Sequence, residues 1–171
     1  MNSKHYLKLK VSDVPEVYYD QETSAKDYNK YTKEVNPFTD NILINGGNQQ
    51  DRIVFMLTML KSIINAKPGA AFFRFENMIE HFRQNQYLEL LKSFRGKRYI
   101  AIDNMDFNYI GGDWNSSNVF KRFCSFLREV YESASRLNII ITTPHKDNVL
   151  ENNIPKFLYN IFETNFETIK M

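Results

Sequence analysis

The sequence predicts a single α/β domain built around a mostly parallel sheet. Three observations carry this. Short apolar runs stop abruptly at turn residues, segments of helical spacing lie between them, and from residue 41 onward the two kinds alternate. Strands separated by helices join through right-handed crossovers, which place the strands side by side and parallel.

Before that region, residues 1–40 read as a polar, tyrosine-rich arm. Thr23 or Ser24 caps a short helix over 24–34, and Asn36-Pro37 ends it. The core domain, 41–171, then opens with Ile42-Leu43-Ile44, a buried strand broken by Gly46-Gly47. Ile53, Met56, Leu57, Leu60, Ile63 and Ile64 follow at helical spacing, and Pro68-Gly69 stops that helix. Ala70 to Phe75 is a second strand. Met78, Ile79 and Phe82 begin a helix that is read through Leu88 and Leu91. Tyr99 to Ile102 is a third strand, ending at Asp103. After Gly111-Gly112, Ser116 or Ser117 caps a helix whose apolar face is Val119, Phe123, Phe126, Leu127, Val130, Ala134 and Leu137. Asn138 to Thr143 is a fourth strand ended by Pro144. Pro155 opens a last short helix, and Phe166 to Lys170 is a fifth strand.

The turn after the first strand stands where a phosphate-binding loop, G-x-x-x-x-G-K-[ST], would stand. Counted from Gly46, the second glycine is Asp51, the lysine is Arg52 and the Ser/Thr is Ile53. Asp51 brings a carboxylate to a place meant for phosphate. At an effective dielectric of about 20, like charges about 4 Å apart repel by about 4 kcal/mol. Arg52 keeps the charge but not the compact ammonium. Ile53 cannot ligate magnesium. The plainer reading makes Gly46-Gly47 only a tight strand-to-helix turn. A second site weighs against it: Asp103, at the end of an apolar strand, stands where a nucleotide enzyme orients magnesium. The neighbour that would activate water is Asn104, which cannot act as a base. Both motifs are altered in the same direction, so the expectation is a scaffold without bound ATP and without hydrolysis.

Taken together, these segments resemble the AAA+ ATPase domain of DnaA and of shorter Hda-type regulators, with a degenerate Walker A motif. Tyr18-Tyr19-Asp20 with Ser24-Ala25 resembles the family's entry segment, and Asn41 to Gly46 its approach to the loop. Ile102-Asp103-Asn104-Met105-Asp106 resembles its second ATPase motif. Asn138 to Thr143 sits where the sensor strand would be, and Ile154 to Leu158 resembles the approach to an arginine finger. The resemblance implies a three-layer P-loop NTPase-like fold with sheet order 5-1-4-3-2, Asp103 lying one strand away from the loop. No arginine lies between Leu158 and Met171, so the finger has no carrier, and neither a helical lid nor a DNA-binding appendage is expected. Similar spacing occurs in DnaC-type helicase loaders and RecA-like paralogues.

Net charge +2 exerts little pull toward nucleic acid or anionic membrane. One cysteine, Cys124, excludes an internal disulfide and fits a reducing compartment. No run approaches the roughly 18 apolar residues of a membrane span, and nothing after Met1 reads as a secretory leader; a cytoplasmic protein is expected. His5, His81 and His145 have no metal-ligand spacing with Cys124. Lys92, Arg95, Lys97 and Arg98 form a basic run that is either a DNA-phosphate contact or a solvated loop. Tyr6-Leu7-Lys8-Leu9 is either an edge strand or a partner-binding stretch. In Hda-type regulators a comparable stretch begins with Gln and binds the sliding clamp; here Tyr6 replaces it. Trp114 is either a lid over the core or an interface anchor. The preferred reading is a non-hydrolysing DnaA/Hda-like protein working in replication initiation through contacts with an initiator, a helicase or a clamp. A RecA-like recombination mediator and a weak nucleotide-binding ATPase are the alternatives.

Overall fold

A computed structural model describes residues 35–66, 70–94, 97–133 and 137–171. Everything read into residues 1–34, including Tyr6, Leu7, Leu9 and the helix over 24–34, lies outside the described residues, as do the Pro68-Gly69 stop, Arg95, Ala134 and the Ile64 side chain.

Five strands form one sheet: β1 (Asn41–Asn45), β2 (Ala70–Arg74), β3 (Tyr99–Asp103), β4 (Asn138–Thr143) and β5 (Phe166–Lys170). Their order is 2-3-4-1-5 and all four pairings are parallel, so the sheet is the one expected, seen from its other edge. Helix α1 (Gln49–Ala66) follows β1. Helices α2 (Phe75–Arg83) and α3 (Tyr87–Phe94) join β2 to β3, and α4 (Asn118–Ser133) joins β3 to β4. Helices α5 (Asp147–Asn153) and α6 (Lys156–Asn165) lead into β5.

Strand side chains alternate between two faces. Ile42, Ile44, Ala101 and Ile140 pack against Phe55, Met56, Met59, Leu60 and Ile63 of α1. Leu43, Ile100, Ile102, Ile139 and Ile141 face a larger core from α2 to α6. Both faces are covered, which a parallel sheet requires, and the result is three layers. The larger core is aromatic: Phe75 meets Phe123, Phe82 meets Phe126, and Phe94 meets Phe126, each edge to face at 5.0–5.4 Å. Val35 is buried and Phe38 half-buried against the α1 side of the core.

Three local readings change. β2 ends at Arg74, and Phe75 begins α2 instead of ending the strand. The helix read from Met78 through Leu91 is two helices, because Asn85 adopts φ 57 and turns the chain. Asn tolerates this left-handed conformation better than other side-chain-bearing residues. Leu88, read as part of the continued helix, is 67% exposed, while Leu90 is buried. Helix α5 was not expected: it is short and polar, with one buried residue, Leu150. Among the two candidate caps, Ser117 is the one used, its Oγ accepting the Phe120 amide at 3.1 Å.

Candidate functional site

The C-terminal ends of β1, β3 and β4 converge on one edge of the sheet. β4 lies between β1 and β3, so the Gly46-Gly47 turn and Asp103 are one strand apart. Gly46 and Gly47 have φ of 77 and 56, and a Cβ on either would approach Met171 to within 2.8–2.9 Å. Both conformation and space therefore demand glycine.

Asn48 then caps α1, its Oδ1 accepting the Asp51 amide at 2.9 Å. The Asp51 carboxylate accepts from the Asn48 side-chain amide and remains exposed. The first turn of α1 thus satisfies a free amide internally, where a phosphate loop would offer it to a ligand. Ile53 is half-buried against the α1 side of the core.

Arg52 is the unexpected residue: it is 3% exposed. Its side chain folds back over the turn, Nη1 donating to the carbonyl oxygens of Gly46 at 2.6 Å and Gly47 at 2.9 Å. Nη2 donates to Asn104 Oδ1 at 3.2 Å. Nε is buried without a hydrogen-bond partner among the described residues. Burial lowers the Arg52 pKa, opposed by the fields of Asp103, Asp106 and Asp51; a guanidinium remains charged in any case. The sequence carried a cue to this. Arg52 lies on the helical stripe of Met56, Met59, Leu60 and Ile63, all buried, so a charge sits on an apolar face.

Asn104 is fixed from several sides, with φ 52. Its amide N–H donates to Thr142 Oγ1 at 2.7 Å, and its Nδ2 donates to Tyr109 Oη at 3.2 Å. Thr142 in turn donates to Asp103 Oδ1 at 2.8 Å. Burial raises the Asp103 pKa, opposed by the Thr142 bond, by Arg74 and Arg52, and by the Asn104 amide. Thr142 and Tyr109 were not singled out from sequence. Thr142 could have been: it is a fully buried polar residue closing an apolar run.

The hollow beside Asp103 and Asn104, lined also by Gln49, Ile53, Arg74 and Tyr109, measures about 80 Å³. Small-molecule pockets typically measure about 300–1,000 Å³. A hollow of about 620 Å³ lies elsewhere, between the α2–α3 turn and α4, with Lys121 and Arg122 on its wall. A magnesium nucleotide fits the arrangement at the loop poorly. The loop carbonyls are taken by a cation, the second acid is an amide bound to Arg52, and the space is small. Among the described residues no group of three or more His, Cys, Asp or Glu could hold a metal ion.

The remaining predicted residues lie apart. Lys92 is exposed on α3, and Lys97 and Arg98 precede β3 at the opposite edge of the sheet. Trp114 is half-buried, 4.6 Å from the Phe107 ring and 5.0 Å from Phe120, so it covers the core there. Cys124 is a buried thiol whose pKa burial pushes up to about 12. No described helix is long and apolar enough to cross a membrane.

No protein-family model matches the sequence, and no curated protein aligns with it significantly. Solved structures do match in three dimensions. AMPPCP-bound DnaA from Aquifex aeolicus superposes with TM-score 0.59 at 12% identity, over 99% of this chain and 50% of that one. The DnaC helicase loader gives 0.58 at 14%, covering 88% and 89% of the two chains, and DnaI gives 0.57 at 10%, covering 95% and 87%. The chain spans about half the length of the DnaA structures it matches. It has the fold of the AAA+ domains of DnaA, DnaC and DnaI.

Proposed function

We propose that this chain is a nucleotide-independent, DnaA-like protein that acts in DNA replication initiation or its control by docking onto other replication proteins. The observation that supports it is the Arg52 guanidinium, seated on the Gly46 and Gly47 carbonyls and on Asn104. At the turn that corresponds in sequence to a phosphate loop, this chain seats its own side chain on the backbone carbonyls. The matched structures supply the context: one is a helicase loader, and another is a replication initiator bound to AMPPCP and single-stranded DNA. Partners of the same kind, an initiator, a helicase, a clamp or DNA, are the ones to test.

Two measurements test the reading. A ligand at 100 times its Kd stabilises a folded protein by about 2.7 kcal/mol. Millimolar Mg-ATP or Mg-ADP is expected to leave the wild-type Tm unchanged, with no steady-state hydrolysis. Turnover that survives repurification and is lost in Asp103→Ala would establish a weak ATPase instead. Capture from the native host is expected to bring down a replication initiator, a helicase or a clamp; a recombinase filament protein would favour the RecA-like alternative.

A further inference from the structure

We propose that the Gly46-Gly47 turn is a cation-binding loop, opposite in polarity to a phosphate loop, and that Arg52 is its resident ligand. The inference rests on the nucleotide-independent reading and specifies the chemistry of the same loop. A phosphate loop turns successive amide N–H groups toward its ligand and so selects anions. Here two successive carbonyl oxygens, those of Gly46 and Gly47, meet one guanidinium nitrogen, and a third oxygen, Asn104 Oδ1, meets the other. Three neutral acceptors converge on one planar cation. Among the described residues no carboxylate lies within ion-pair distance of Arg52, so carbonyl dipoles meet the charge at short range and Asp103, Asp106 and Asp51 act from farther away.

The match is specific to a guanidinium. Its planar fork spans the loop with one nitrogen and reaches β3 with the other, whereas an ammonium is a compact point. It is also more weakly hydrated than an ammonium, which makes it the easier cation to bury. A phosphate placed at the same point would face the two carbonyl oxygens with like polarity. The guanidinium ties the end of β1 to the end of β3 across the intervening β4.

Chemical rescue tests this. Arg52→Ala removes the fork and leaves the loop oxygens in place. Its Tm is expected to fall. Low-millimolar guanidinium chloride, compared with sodium chloride at the same concentration, is expected to recover a measurable part of that loss without raising the wild-type Tm. Inorganic phosphate or Mg-ATP is expected to give no recovery. A variant stabilised by either anion, or one that does not respond to guanidinium, overturns the inference. Should Arg52→Ala fail to fold, Arg52→Lys replaces it: no stabilisation by phosphate or Mg-ATP supports a cation loop, and stabilisation by either refutes it. The two proposals fail separately. An anion response confined to the variant overturns the cation loop alone, whereas a nucleotide response of the wild type overturns the proposed function.

Discussion

His145 follows β4 and stacks on the Phe107 ring, centroids 4.8 Å apart, with Trp114 at 6.2 Å. Its Nε2 accepts the Phe107 amide at 3.0 Å, which requires that nitrogen to be unprotonated. Burial lowers its pKa, with Arg52 acting in the same direction and Asp106 against them. The unfolded chain, with an ordinary imidazole near about 6.5, therefore takes up the proton first. The stabilisation is whole above that value and is lost as pH falls through the lower folded pKa. Denaturant titrations are expected to show stability falling from neutral to mildly acidic pH, with a shallower fall in His145→Gln. Cys124 makes a second expectation at this scale. A buried thiol with a pKa near 12 supplies almost no thiolate. Iodoacetamide at neutral pH should leave the native protein unmodified and alkylate it only after denaturation.

Helices α1 and α4 hold the sheet from opposite sides, and their buried residues carry its packing. Leu60→Ala or Leu127→Ala is expected to cost about 2–5 kcal/mol in chemical unfolding. Leu88→Ala, on the exposed side of α3, is expected to stay within about 0.5 kcal/mol of wild type; equal melts for all three would mean the helix faces are misassigned. β1 to β4 were legible because each is an apolar run closed by a polar or turn residue, as at Asp103 and Pro144, whereas β5 carries Glu167 and Thr168 inside it and is no such run. The α2–α3 break was not, because its turn rests on a single residue, Asn85, inside a sequence that keeps helical spacing on both sides. Helix α5 escaped because one buried leucine makes no periodicity. At the loop, the altered residues were legible one by one. The path of the Arg52 side chain was not, because a long flexible arm can reach solvent or fold back, and spacing records neither.

At the scale of the molecule, β5 closes one side of the sheet: it pairs with β1 along the full strand, and Phe166 and Ile169 are buried. A chain shortened after Asn165 would leave β1 as a bare edge, which is a template for self-association. Light scattering is expected to show such a chain aggregating where the whole one stays dispersed; an unchanged, monodisperse melt would show that β5 is dispensable. The same topology sets a timetable for synthesis. Among the described strands β1 is the first made, yet both its neighbours, β4 and β5, are the last two. From Asn45 to Asn138 the ribosome must add 93 residues, which at roughly 5–20 residues per second takes about 5–20 s. Throughout that interval Ile42, Leu43 and Ile44 lack both of the strands they pair with in the sheet, and the nascent chain depends on whatever shields them until β4 emerges.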